Sequence, residues 1–131
     1  MTQSEFIGLV NGSPWANRAC TFDEMDCWGL VVLYYRHVLG LELHHVAGYE
    51  SGSDFITCYE EESNHWRKVP APLSGCLAVF YYGNVPTHVG VMLNPAKCLH
   101  SRGEFGFVRI DSAAILQKIY NKVEYLVHGS I

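Results

Sequence analysis

The sequence has 131 residues, of which 49% are hydrophobic and 17% are charged. This composition predicts one globular domain and excludes a disordered chain. A chain of this length buries roughly two-thirds of the surface that its unfolded form exposes. The formal net charge of -4 leaves no basic surface for phosphates, which argues against nucleic acid as a partner.

The cysteines and the first residues indicate a reducing site of synthesis. The chain has five cysteines and no CxxC pair: Cys20, Cys27, Cys58, Cys76 and Cys98. These spacings indicate neither a zinc site nor a disulfide framework, so we expect all but Cys27 to pack as small apolar side chains. The first ten residues lack the features of a signal peptide, and the longest apolar run, 29–35, is too short to cross a bilayer. We therefore expect synthesis in a cytoplasm, without an export signal and without membrane insertion.

The first half of the chain is predicted to be helical. Thr2 and Glu5 fit a capping box, which predicts a short helix that stops at the turn signal following Val10. Residues 15–25 indicate a loop. From Asp26 to Gly40 apolar residues recur at helical spacing and nearly all round the helix, which is typical of a helix at the centre of a domain. In the poorly patterned stretch 44–74, a second short helix is predicted at 54–61.

The second half is predicted to form strands. Residues 77–82 and 87–93 indicate two strands joined by a turn, and further strands are predicted at 98–101, 105–110 and 123–127. Asp111 or Ser112 is expected to cap a helix between the last two strands. Helices followed by strands predict one α+β domain over residues 1–131, with N-terminal helices packed on an antiparallel sheet of about five strands.

Cys27 is the candidate nucleophile. It falls at the start of the helix predicted from Asp26, where the helix dipole and free amides favour a thiolate and lower the pKa of a thiol. Gly29 leaves room for another backbone segment or a substrate. A buried core cysteine would fit the same position about equally well, so Cys27 alone does not predict catalysis.

His88 and His100 are the candidate partners of this thiol. His88 begins an apolar strand, where a side chain is held rigidly yet can face a cleft, as a general base requires. His100 lies in the next strand, so both side chains can share one face of the sheet, with His100 orienting His88. An imidazole in that role would fix the ring of the base but would add no full negative charge.

The remaining histidines and a metal site are weaker candidates. The other five histidines are weaker candidates: His37, His44, His45, His65 and His128. Of these, His37 falls mid-helix, His44 and His45 fall in a predicted loop, and His128 is near the chain end. Structural zinc sites usually draw ligands from tight pairs such as CxxC or HxxxH, and the chain has neither. We therefore predict no metal site.

The motifs around these residues resemble the NlpC family of papain-like cysteine peptidases, which act on bacterial cell-wall peptides. The nucleophile motif of that family is Asp-Cys-Ser-Gly-Leu-Val at a helix start, and it stands here as residues 26–31. The family's upstream Gly-x-Pro-Tyr stands as residues 12–15. Its three strand motifs match in order and spacing at residues 75–80, 88–91 and 99–101.

The resemblance implies a papain-like fold, a reaction without a cofactor, and roles for three residues. Cys27 would attack, His88 would act as the base, and His100 would orient His88. The implied reaction is hydrolysis of the amide between γ-D-glutamate and a diamino acid in peptidoglycan stem peptides. The Asp-Cys-Trp-Gly-Leu variant is similar to bacteriophage tail-associated members, which implies a location at the tip of a virion tail and other tail-tip proteins as further partners.

Three positions depart from the family pattern. Trp15 replaces a Tyr, Trp28 replaces a Ser, and Cys76 replaces an Asp. Asp26 matches a residue that holds substrate in some relatives, although a helix cap would explain it equally well. We expect Trp15, Asp26 and Trp28 to be substrate contacts. Two rival functions stay open: a catalytically silent tail-tip protein for wall docking or assembly, and a papain-like amidase or acyltransferase acting on another bond.

Overall fold

The computed structural model describes residues 1–17, 19–43, 65–103 and 106–129. The predicted helix at 54–61 lies outside these residues. The first helix, α1 (Gln3–Val10), begins at the predicted capping box, in which Thr2 accepts from the Glu5 backbone and the Glu5 carboxylate accepts from Thr2. The second helix, α2 (Cys27–Tyr34), continues into a π-helical turn (Tyr35–Leu39) that ends at Gly40, whose φ is 70°. Both helices therefore start where the sequence predicted.

Six antiparallel strands form one sheet in the order β1-β6-β2-β3-β4-β5. Their bounds in chain order are β1 (Trp66–Val69), β2 (Leu77–Tyr82), β3 (Val85–Asn94), β4 (Lys97–Ser101), β5 (Val108–Ser112) and β6 (Lys122–His128). The third helix, α3 (Ala113–Ile119), joins β5 to β6. The α+β prediction is confirmed, and β1 is the strand that the sequence did not reveal. Because β1 is a four-residue edge strand with two exposed residues, its apolar pattern is weak.

Two strand boundaries differ from the prediction. β3 begins at Val85 rather than at residue 87, because Pro86 is accommodated opposite Tyr81 where the pairing with β2 shifts in register. β5 runs from Val108 to Ser112 rather than over 105–110. Asp111 therefore lies within a strand and does not cap α3. Ser112 is the residue at the N-cap, but its side chain makes no capping hydrogen bond.

The sheet is covered on both faces. One face packs against α1 and α2 in a core that includes Phe6, Trp28, Leu30, Val79 and Val91. The other face packs against α3 through a smaller cluster, in which Cys76 and Cys98 are buried as small apolar side chains, as predicted. In the described part of the chain, none of the helices has the length and apolarity needed to span a membrane. The central helix α2 is thus fixed between the sheet and the N-terminal segment.

The loop before α2 is held against the helix start by close backbone contacts. The Asp26 N–H donates to the Ala19 carbonyl over 3.2 Å, and a Cβ built on Gly29 would lie 2.1 Å from the same carbonyl oxygen. The buried Ser101 hydroxyl donates to the Met25 carbonyl over 2.8 Å. Gly29 therefore makes room for another segment of backbone, and β4 fixes the residues that lead into α2.

We expect Gly29→Ala to lower the free energy of unfolding by roughly 3 kcal/mol, the upper end of the cost of overpacking, because a backbone carbonyl cannot easily move away. Gly8→Ala is the matched control, since Gly8 is exposed in α1 and a Cβ there meets nothing within 4 Å. That change should stabilise the protein by up to about 1 kcal/mol through helix propensity. Urea unfolding of both variants checks this, and equal effects would contradict it.

Candidate active site

Cys27 is the first residue of α2 and is half-buried. Asp26 is the N-cap of the helix, and its Oδ1 accepts from the Gly29 N–H over 2.7 Å, so the predicted cap is confirmed. The backbone N–H of Val89, the residue after His88 in β3, acts on the Cys27 thiol and lowers its pKa. The candidate nucleophile is thus held beside the strand that carries the candidate base.

The environment of Cys27 favours a protonated thiol. Burial raises the pKa of the Cys27 thiol to about 12, the Asp26 carboxylate adds to the rise, and hydrogen bonds from Val89, Trp28 and its own N–H oppose it. The expectation that the helix start would lower this pKa is therefore wrong for the resting protein. The Asp26 carboxylate already occupies the positive end of the helix, and a second negative charge beside it is disfavoured.

His88 and His100 are in direct contact on neighbouring strands. His88 Nε2 lies 2.8 Å from His100 Nδ1, and the two side chains are 5% and 0% exposed. Val91 pairs with Leu99, so the continued register places His100 beside Gly90. A Cβ on Gly90 would lie 2.5 Å from the Cys98 sulfur and 3.1 Å from the His100 Cβ. A residue without a side chain at position 90 therefore lets β4 bring His100 close to His88.

The contact continues from His100 to Asp111. His100 Nε2 lies 2.7 Å from Asp111 Oδ2, and Arg109 binds the same carboxylate with Nε 2.7 Å from Oδ2 and Nη2 3.1 Å from Oδ1. His100 pairs with Arg109 in the sheet, so Asp111, two residues on, shares its face. The sequence reasoning missed this acid, because it ended the strand at residue 110. Period-two spacing with Arg109 was the signal that could have revealed it.

The buried pair of histidines is neutral at rest. Burial lowers the pKa of His88 well below its usual value, and the neighbouring His100 and Arg102 lower it further. Burial also lowers the pKa of His100, although the hydrogen bond to Asp111 opposes that effect. Burial therefore disfavours the charged forms of the Cys27 thiol and of both imidazoles.

An aromatic ring and a cation border His88. The ring of Tyr120 stacks on the imidazole of His88 at 5.8 Å between centroids and 9° between planes. Burial raises the pKa of the Tyr120 phenol to about 12, and the positive charge of Arg102, half-buried just after β4, opposes that rise. These two residues carried no sequence signal. The stacked Tyr120 ring restricts the orientation of His88, and Arg102 disfavours its charged form.

The three predicted substrate contacts have different surroundings. Trp28 is completely buried in the core, so its prediction as a substrate contact is wrong: the ring fills the space between α2 and the sheet. Asp26 is 4% exposed and is engaged as the helix cap. Trp15 is half-buried, and its backbone N–H donates to the Gly106 carbonyl. The indole ring is then the part of Trp15 that can contact a ligand.

Metal ligands do not converge in this region. Within residues 1–17, 19–43, 65–103 and 106–129, no three His, Cys, Asp or Glu side chains are arranged to hold a metal ion. Cys20, Cys27, Cys76 and Cys98 are free thiols, and Cys58 lies outside the described residues. A free thiol on a helix start that packs near a strand histidine can perform nucleophilic attack by sulfur with proton transfer to the imidazole.

We expect Asp26→Asn to lower the pKa of Cys27 and so to speed its alkylation by iodoacetamide at pH 8. Asn keeps the capping oxygen but removes the charge that disfavours the thiolate. Peptide mapping by mass spectrometry, timed over a pH series, would give the rate at Cys27. Asp23→Asn, at an exposed position of the preceding loop, is the control. An unchanged rate in Asp26→Asn would show that burial alone sets this pKa.

Comparison with solved structures shows the same fold in three proteins. The NlpC/p60 domain of the peptidoglycan hydrolase SagA is 17% identical, with a TM-score of 0.66 over 95% of this chain and 92% of that one. NlpC2 from Trichomonas vaginalis is 18% identical, with a TM-score of 0.69. A protein of the NLP/P60 family from Staphylococcus aureus, described as similar to lipoprotein, is 18% identical, with a TM-score of 0.62. This chain, at 95% coverage, spans 44% of the second protein and 40% of the third.

The sequence comparisons give a family but no individual relative. A comparison with curated proteins finds no significant match. Residues 12–127 match the profile of the NlpC/P60 family, and the matched region includes every residue of the site described above. On this match, together with the shared fold, the chain belongs to the NlpC/P60 family.

Proposed function

We propose that the chain is a cysteine peptidase that hydrolyses peptidoglycan stem peptides, with Cys27, His88 and His100 as its catalytic residues. The observation that carries this proposal is the buried His88–His100 contact of 2.8 Å on the strand that continues to Val89, whose backbone N–H lowers the pKa of the Cys27 thiol. Membership in the NlpC/P60 family and the likeness to a domain of a peptidoglycan hydrolase support the substrate class.

The proposed reaction starts from the Cys27 thiol and a neutral His88 imidazole. The thiol proton of Cys27 moves to His88 as the sulfur attacks the carbonyl carbon of the scissile amide, and the oxyanion accepts from the backbone N–H of Cys27 at the helix start. His88 then gives its proton to the leaving amine, which departs and leaves a thioester on Cys27. Water, deprotonated by His88, attacks the thioester, and the acid product and the thiol are released.

The proposed scissile bond is the amide between γ-D-glutamate and the diamino acid. Support for this bond comes from the resemblance of residues 26–31 and 88–91 to the family motifs. The ring of Trp15 is a candidate substrate contact, because the backbone on either side of it bonds to Met25, two residues before Cys27. Pro14 accepts from the Met25 N–H, and Ala16 donates to the Met25 carbonyl.

We expect Cys27→Ala to abolish the release of peptide fragments from purified peptidoglycan, because the proposed acyl intermediate forms on the Cys27 sulfur. Cys20→Ala, which changes another half-buried thiol, should retain activity. Liquid chromatography with mass spectrometry of the products would give the bond cleaved. Fragments released by Cys27→Ala would contradict the nucleophile, and a wild-type protein without activity would favour a docking role. Products cut at another bond would favour an amidase or acyltransferase.

We further propose that the protein acts at the tip of a bacteriophage tail, where it opens the cell wall for DNA entry or takes part in tail assembly. The Asp-Cys-Trp-Gly-Leu variant at residues 26–30, similar to that of tail-associated members, supports this location. The expected partners are the stem peptide and other tail-tip proteins.

The location is tested on virions purified from lysates of the producing strain. Mass spectrometry should detect peptides of this chain in the particle fraction, together with those of tail proteins, and an antibody against it should label one tail end in electron micrographs. Presence in the soluble lysate alone would contradict the tail location and leave the peptidase proposal untouched.

A further inference from the structure

A continuous row of hydrogen-bonded groups runs across three neighbouring strands behind Cys27. It begins at His88 in β3, passes through His100 in β4 and Asp111 in β5, and ends at Arg109, with contacts of 2.8, 2.7 and 2.7 Å. The row crosses the sheet diagonally, because His100 directly opposes Arg109 while Asp111 lies two residues further along the same strand. The catalytic pair is thus connected to an acid that no sequence motif assigned.

The contacts determine which ring nitrogen carries each proton. A carboxylate only accepts, so His100 Nε2 must donate to Asp111 Oδ2. In a neutral His100 ring, Nδ1 is then an acceptor, and His88 Nε2 must be the donor in the contact between the two rings. The unprotonated Nδ1 of His88 is left as the acceptor for the Cys27 proton. Without the acid, either proton arrangement would satisfy the pair of rings equally well.

We propose that Asp111 is a positioning residue that fixes the protons of both imidazoles and supplies the negative charge that stabilises the imidazolium formed on His88. This inference rests on the proposed cysteine peptidase function. The sequence predicted that His100, as an imidazole, would bring no full negative charge to the site. In this proposal Asp111 brings that charge through His100. The same role is filled in other hydrolases by an acid that contacts the base directly, whereas here one imidazole stands between them.

Asp111 is ionised in the resting protein. Burial acts to raise its pKa, but hydrogen bonds from His100 and Arg109 together hold the pKa below its ordinary value. Its side chain is 16% exposed, so its charge is less screened than that of a surface acid. Arg109 is 45% exposed and opposes the effect of Asp111 on His100. The electrostatic field at His100 therefore depends on the balance between the negative charge of Asp111 and the positive charge of Arg109, both on β5.

The other charged and titratable neighbours of the two histidines are few among the described residues. Arg102, after β4, lowers the pKa of both imidazoles. Tyr120 stacks on His88 and is protonated at neutral pH, and the Cys27 thiol is likewise neutral. Changes at Asp111 and Arg109 therefore alter the charge near the pair without altering its contacts with these groups.

The test compares Asp111→Asn with Arg109→Gln in the whole chain, with Asp23→Asn as an exposed control. Asn can accept from His100 through its amide oxygen but has no charge. The imidazolium should be destabilised, and the pKa values of the histidine pair should fall by about one pH unit or more. Removing the guanidinium at position 109 leaves the carboxylate unopposed, so the same values should rise. The control should leave them unchanged.

Nuclear magnetic resonance titration of the ring Hε1 protons of His88 and His100 would give these pKa values in the absence of substrate. The ¹⁵N shifts of the rings would report the tautomers, with His88 protonated at Nε2 in the wild type. Opposite shifts in the two variants support the proposal. Shifts in the same direction, no shift in either, or His88 protonated at Nδ1 would overturn it. If Asp111→Asn does not fold, the wild-type ¹⁵N shifts decide the question, because His88 protonated at Nδ1 contradicts the proton order that the Asp111 contact requires.

Kinetics then separate this inference from the proposed function. On peptidoglycan fragments, Asp111→Asn should lose on the order of tenfold or more in kcat/KM, and the acid limb of its pH profile should move to lower pH. A structural role alone would lower activity without moving that limb, and this result would overturn the proposal. If the wild type has no peptidase activity, the proposed function fails, whereas the resonance titration still shows whether Asp111 sets the protons of the pair.

Discussion

The site depends on the antiparallel pairing of β3, β4 and β5. His88, His100 and Asp111 lie on three separate strands, and only this register makes them diagonal neighbours within hydrogen-bond distance. The pairing needs a glycine at position 90, because any Cβ there would meet the Cys98 sulfur and the backbone of β4. The requirements of sheet packing therefore fix the geometry of the polar row more tightly than any flexible loop could.

Burial determines which protonation states these side chains favour. The two histidines are almost inaccessible to water, so their charged forms are disfavoured, and the same effect holds the Cys27 thiol protonated beside Asp26. The resting site is consequently a neutral proton donor and a neutral proton acceptor. An enzyme arranged this way would protect its thiol from indiscriminate alkylation and oxidation.

The local order of the sequence determined much of the fold. The capping box of α1, the start of α2 at Asp26 and the glycine that ends the helical segment are interactions between residues close in the chain, so their pattern is readable directly. The same holds for the motifs that led to Cys27, His88 and His100. The strand boundaries were less accurate, since a bulge admits Pro86 into β3 and the chain continues as a strand through Asp111.

Only the tertiary structure decided how these residues act on one another. The pKa of Cys27 depends on how deeply α2 packs, and packing rather than helix position determined its direction. Trp28 is completely buried in the core that α1, α2 and one face of the sheet form, although its place next to the nucleophile suggested a substrate contact. The contact of Asp111 with His100 arises from strand pairing between residues eleven apart, and the period-two spacing of Arg109 and Asp111 gives their shared face but not the strand that pairs with them. The sequence by itself therefore determined which groups are available, and the folded sheet decided their protonation and their partners.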